Sequence, residues 1–143
     1  MLAPTYSSFA FALVAIHASL LREHVVTYGF MLLCPLSVLT YARFDDAFRG
    51  KALVRWLDRT LAKSLTAYCV VRSAHISWCY GASPPLAVAA IIGAYNVHVF
   101  YVAKLSRAHP SRPNWHRWAA SIHVVTALGS HACLGMLRYY RGH

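Results

Sequence analysis

Six histidines lie within or at the edge of apolar stretches of this sequence, and three of them share a depth. His17, His75 and His131 each fall about five or six residues from one end of their apolar stretch. At a helical rise of ~1.5 Å per residue, the three imidazoles would lie at nearly one level. Zinc accepts three imidazoles with a water as the fourth ligand. The sequence therefore offers His17, His75 and His131 as a candidate metal site, with hydrogen bonding between helices as the alternative.

A second layer of polar residues lies near the opposite ends of the apolar stretches. His98 and His123 each come about six residues from the more basic end, level with Ser37. A pair of histidines from different helices is also a ligand set for the iron of a haem. The sequence contains no HExxH or HxxxH motif, and only the last apolar stretch holds two histidines within it. Zinc, haem and simple hydrogen bonding therefore all remain interpretations of these residues.

The third apolar stretch carries a charged residue near its middle. Tyr68, Arg72, His75 and Cys79 stand at offsets of 0, 4, 7 and 11, which is one face of a helix. An arginine at mid-span costs ~2.5–3.5 kcal/mol and normally faces a bundle interior with a partner. The nearest carboxylate is Glu23; otherwise the partner is a neighbouring subunit's acid, a lipid phosphate or a bound anion. With the first histidine layer, this predicts a buried polar cluster of Tyr68, Arg72, His75, His17 and His131.

Ser37, Tyr41 and Asp58 form part of a pattern known from membrane enzymes. The spacing resembles the S-x-x-x-H and later Asp of membrane zinc hydrolases of the alkaline-ceramidase and progestin-receptor group. In this sequence Tyr41 stands where that pattern has a histidine, and the closing H-x-x-x-H does not occur. The resemblance implies lipid hydrolase chemistry, but it covers a few residues and omits the metal ligands.

The composition limits the class of protein that can position these side chains. Apolar residues make up 58% of the 143 residues and charged residues 13%, against ~45–50% and ~25% in soluble proteins. A disordered chain needs fewer apolar residues and more charge, and a soluble globule needs more charge for its surface. The composition predicts a membrane protein, and the length predicts one domain over 1–143.

Five apolar stretches are long enough to be considered as membrane spans. They cover about 5–21, 25–42, 61–80, 85–103 and 118–137, and a span takes ~17–25 residues. We therefore predict an all-α, polytopic integral membrane bundle of five transmembrane helices. The first two stretches are short and only three residues separate them, so the alternative is four spans with an interfacial first helix.

The charge distribution predicts an orientation. The chain has 14 Lys and Arg against 4 Asp and Glu. Ten basic residues fall on the side of the second–third and fourth–fifth loops and three on the other side. By the positive-inside rule, the N-terminus should face the cytoplasm, or the matrix in a mitochondrial inner membrane. Basic residues that flank apolar stretches do not form the stripe expected of a nucleic-acid binder.

These observations favour a small integral membrane subunit with an accessory role in a larger complex, for example a mitochondrial respiratory assembly. The expected partners are membrane lipids, one of them bound, and other membrane subunits, with no nucleic acid. The small size and the absence of a complete catalytic motif support this expectation. The alternative is a self-contained membrane enzyme or redox carrier whose histidines bind zinc or haem, hydrolase-like or similar to a b-type cytochrome.

Overall fold

A computed structural model describes residues 4–41, 50–107 and 115–142, and every regular element in these ranges is helical. The helices are α1 (Pro4–Ser7), α2 (Ala10–Leu20), α3 (His24–Tyr41), α4 (Lys51–Tyr80), α5 (Pro84–Arg107) and α6 (Trp115–Arg141). The prediction of an all-helical bundle is confirmed.

Two tight turns reverse the chain where the sequence changes from apolar to polar. After α2, Arg22 adopts a left-handed conformation (φ 57°), and the Glu23 N–H donates to the carbonyl of Ala18 at 2.9 Å. After α4, Gly81 takes φ 61°, which glycine adopts without the strain that a Cβ causes. Proline at the first position of α5 suits a helix start, because its missing N–H would have no partner there.

The helices pack around α6 and α3. Helix α6 contacts α1, α2, α4 and α5, while α3 contacts α1, α2 and α4. The centre of the apolar core lies between α2 and α3, where the rings of Phe11 and Phe30 are 5.6 Å apart and Val14 is fully buried. This packing holds the short helix α2 in place through its contacts with two longer helices.

Large apolar side chains lie on the surface of the bundle, and several polar side chains lie inside it. The exposed apolar side chains include Leu13, Ile16, Leu20, Met31, Leu32, Val71, Trp78, Ile91 and Leu128. Among the described residues, the buried polar side chains are Ser7, Ser8, Glu23, Thr27, Ser37, Asp58, Ser73 and His123. Buried polar groups need hydrogen-bond partners within the bundle.

Within the part of the chain that the structure describes, two helices, His24–Tyr41 and Ala120–Arg141, are long and apolar enough to cross a membrane. The structure therefore does not confirm the prediction of five spans. Helix α2 has only 11 residues, because the first apolar stretch is divided into two helices, α1 and α2. In α4, charged and polar residues such as Arg72 lower the mean hydropathy of a helix that has ample length, 30 residues.

Helices α5 and α6 approach closely at Gly129. A Cβ at this position would overlap the side chain of Ile92, whereas a Cβ at Gly135 on the same helix would meet nothing. We expect Gly129→Leu to lower the free energy of unfolding by about 1–3 kcal/mol, the cost of overpacking a core. Gly135→Leu should be neutral or slightly stabilising, because glycine disfavours a helix.

The measurement is the thermal unfolding midpoint of both variants, purified in the same mild detergent. Equal midpoints for Gly129→Leu and Gly135→Leu would contradict the close approach of α5 and α6.

Candidate functional site

A buried acid ties three parts of the bundle together at the end that holds the α2–α3 turn. Glu23 is 7% exposed, and its Oε1 lies 2.7 Å from Arg141 Nη1 and 3.7 Å from Arg72 Nη2. The cluster therefore joins the turn to α4 and α6. The sequence left several partners open for Arg72, and Glu23 is the one that the structure brings within reach of its guanidinium. A partner outside the polypeptide stays a prediction.

Arg141 was not among the residues singled out from the sequence. The sequence did contain a hint of its pairing with Glu23, because both residues fall on the sparsely basic side of the predicted bundle. The geometry leaves one polar atom of the cluster without a partner in the described residues, the buried Nε of Arg72.

The remaining residues of the predicted polar cluster separate into inner and outer positions. Tyr68 is half-buried against the apolar core. His75 is exposed on α4, with its Nδ1 3.5 Å from Arg72 Nη1 and its Nε2 3.6 Å from Cys79 Sγ. Arg72 therefore lies between a buried acid and an outward-facing histidine on its own helix.

His17 and His131 are brought together from α2 and α6. Their Nδ1 atoms are 2.8 Å apart, and the rings stack at 5.1 Å with an interplanar angle of 23°. In the neutral pair, the Nδ1–H of one imidazole donates to the bare Nδ1 of the other. His75 does not join them, and the described residues contain no group of three His, Cys, Asp or Glu that could hold a metal. The donor set therefore does not fit the predicted three-histidine zinc site.

His123, from the second predicted layer, is buried in a polar pocket. Its Nδ1 lies 2.9 Å from Ser7 Oγ and 3.3 Å from Ser8 Oγ. The rings of Phe11 and Tyr41 flank it at centroid distances of 5.2 and 5.1 Å. The pocket holds the N-terminal turn of the chain against α6.

His98 and Ser37 do not join His123. His98 is exposed on α5, and Ser37 instead donates a short hydrogen bond to Asp58 Oδ1 across α3 and α4. The second layer is therefore not assembled, since equal depth in a bundle does not fix the direction in which a helix presents a side chain.

Asp58 lies inside a helix and is buried. Helix α4 begins at Lys51, so Asp58 lies in its third turn, where it is 7% exposed. Burial raises the pKa of the carboxyl, while the Ser37 hydrogen bond and the nearby Arg59 charge partly oppose that rise. With Glu23, Asp58 is one of two acids in the described residues, and both are buried.

A cavity of about 850 Å³ runs between α3, α4, α5 and α6. Glu23 and Arg72 line one end of it, and Asp58 and Arg59 line the other. Between the ends most of the lining is apolar, with a few polar side chains such as Asn96. Its Nδ2 donates to Thr126 at 3.0 Å, while its buried Oδ1 has no partner in the described residues. Asn96 was not predicted from the sequence, although an amide in an apolar helix is a recognised packing or binding signal.

Comparison of the chain with protein-family models, curated proteins and solved structures found no match.

Replacing the buried acid tests the ionic cluster. Glu23→Gln leaves Arg72 and Arg141 without a counter-charge, and we expect it to lower the free energy of unfolding by about 3 kcal/mol. This is the low end of the ~3–5 kcal/mol for breaking a buried pair, because both guanidiniums keep some solvent contact.

The check is chemical unfolding of Glu23→Gln beside Arg141→Gln and Arg138→Gln. Arg141→Gln should cost less than Glu23→Gln, because Arg72 remains to pair with the acid. Arg138→Gln is the matched control, and a loss as large as that of Glu23→Gln would contradict a specific cluster.

The raised pKa of Asp58 makes a pH-dependent prediction. A carboxyl whose pKa is higher in the folded state binds its proton more tightly there, so stability is lost as pH rises through that pKa. Asp58→Asn removes the ionisation and keeps an acceptor for Ser37. We expect the stability of the variant relative to the parent chain to increase as the pH rises above ~3.9, the ordinary pKa of an aspartate.

Thermal unfolding of both proteins across this pH range measures the effect as a difference, which cancels the titration of the histidines. A difference in stability that does not grow with pH would contradict a raised pKa of Asp58 in the folded protein.

Proposed function

We propose that this chain is an integral membrane protein in which five helical segments cross the bilayer. The support is the number of large apolar side chains exposed on the bundle, such as Leu20 and Trp78, together with the buried Glu23, Asp58 and His123. The three long helices α4, α5 and α6 have 30, 24 and 27 residues, about 45, 36 and 40 Å at 1.5 Å per residue. Each exceeds the ~30 Å of a hydrocarbon core.

We further propose that the protein is a non-enzymatic subunit packed against another membrane protein. The observation that carries this proposal is the outward position of His75 on α4 and His98 on α5. Each lies five residues from the end of its proposed span, about 8 Å into it. Ionisable residues at such depth almost always face protein or water and not lipid, so a partner helix covering these faces explains both.

The five-span topology is tested with reporter domains. One reporter is fused after His143 and another is inserted near Arg112, and we expect them on opposite sides of the membrane because one span separates them. Finding both on one side would mean an even number of spans between them and would contradict the topology.

Assembly is tested with outward-facing substitutions in the tagged full chain, extracted in mild detergent and run on native gels. We expect His75→Leu and His98→Leu each to weaken assembly roughly three- to twentyfold, because hydrogen bonds between membrane helices contribute ~0.6–1.7 kcal/mol. Val71→Leu and Ala94→Leu, one turn earlier on the same faces, are the matched controls.

Co-expression of two differently tagged copies identifies the partner as a second copy or another protein. Migration of the parent chain as a monomer, unchanged in all four variants, would contradict the subunit proposal.

One observation favours the alternative of a self-contained enzyme or redox carrier. The contact between His17 and His131 places two imidazoles from different helices side by side. A metal or haem bound there would appear in elemental analysis or as a Soret band of the purified chain, and His17→Ala or His131→Ala would abolish it. His75→Ala would leave it unchanged, because His75 lies elsewhere.

A further inference from the structure

The internal cavity is open to the outside between α4 and α5. Lining residues that are also exposed follow one ridge of α4, at Arg59, Lys63 and Val70, and one of α5, at Val97 and Tyr101. Val97 and Tyr101 are 72% and 62% exposed although they line the cavity. These two ridges are the edges of a lateral opening, which in a membrane would face the acyl chains of the lipids.

The length and lining of the cavity suit an acyl chain. Lining residues of α4 extend from Asp58 to Ile76, which is about 27 Å at 1.5 Å per residue. One acyl chain covers about half of the ~30 Å hydrocarbon core of a bilayer, so the cavity is long enough to hold one chain. A volume of about 850 Å³ lies in the upper part of the ~300–1,000 Å³ range of ligand sites. A lipid chain thus fits by length, by volume and by the apolar character of the walls.

The charges at the opening select the kind of headgroup. Arg59 and Lys63 stand four residues apart on one helix face, both are exposed, and neither forms an ion pair within the described ranges. Asp58 is the one described acid at this end, and it is buried with a hydrogen bond from Ser37. At the opposite end Arg72 is already engaged by Glu23. The free positive charge therefore lies at the opening, at one end of the cavity.

We propose that the cavity binds one anionic lipid, with its phosphate at Arg59 and Lys63 and an acyl chain running toward Ile76. Lipids with negative headgroups are attracted to such residues by about 1 kcal/mol per basic side chain. The inference rests on the proposed membrane location and goes beyond it by naming the ligand.

The test uses the full chain in phosphatidylcholine vesicles, with phosphatidic acid carrying a photoreactive diazirine at the end of one acyl chain. After illumination, mass spectrometry locates the adducts. We expect them on the inner face of α6, around Ser130 and Leu134, and not on the outward Leu128. Phosphatidylcholine with the same diazirine chain should label these inner positions at least tenfold less.

Two substitutions with matched controls separate the chain site from the headgroup site. Gly93 lines the cavity and has open space at its Cβ, so Gly93→Phe should fill the cavity and reduce inner adducts at least tenfold. Gly135→Phe, which also meets nothing at its Cβ but does not line the cavity, should leave them unchanged.

Arg59→Gln and Lys63→Gln should each lower the preference for phosphatidic acid about fivefold, the equivalent of ~1 kcal/mol. Arg55→Gln, one turn earlier on the same helix and outside the lining, should not change it.

Each other outcome overturns the proposal. Adducts confined to outward-facing residues would place the lipid outside the bundle, and equal labelling by both probes would remove the headgroup preference. Displacement of the probe by inorganic phosphate alone would indicate a free-anion site. Failure of the chain to float with the vesicles after an alkaline wash would instead contradict the membrane location itself.

Discussion

Burial of Glu23 is the constraint on which the arrangement of the helices depends. A carboxylate that is 7% exposed needs a counter-charge, and the chain supplies two arginines, Arg72 from α4 and Arg141 from the end of α6. Each helix must therefore reach the α2–α3 turn with its guanidinium at the right level. Removing one partner of such a group leaves an uncompensated charge, so the register of α4 and α6 against the turn is fixed more strongly than apolar packing alone would fix it.

At the opposite end of the bundle, the buried acid is Asp58. Asp58 is buried with a hydrogen bond from Ser37, and burial raises its pKa, so its charge is not fully balanced there. The exposed Arg59 and Lys63 lie beside it and are not consumed by an ion pair in the described residues. One end of the cavity is thus closed by a compensated ionic cluster. The other end presents two basic side chains that form no ion pair within the described residues, beside an apolar space. The two ends of the cavity therefore differ in charge.

The sequence predicted the helical class, the approximate helices and the reversal at Arg22 to His24, because each depends on local composition and on turn residues. It also placed Glu23 as the nearest acid to Arg72. It did not predict Arg141 as a partner, the contact of Ser37 with Asp58, or the orphaned amide of Asn96. Those contacts join residues 21 to 118 positions apart, and they depend on how far each helix is rotated about its axis.

The histidines show most clearly what could not be predicted from the sequence. Their depth along the helices followed from the ~1.5 Å rise per residue, and this correctly put His17 level with His131, whose Nδ1 atoms are 2.8 Å apart. The same reasoning grouped His75 with them and His98 with His123, yet both His75 and His98 face outward. The sequence by itself determined the helical class, the approximate positions of the helices and the relative depth of the polar groups along them. Only the tertiary structure decided which groups meet, because the rotation of each helix is set by packing against its neighbours.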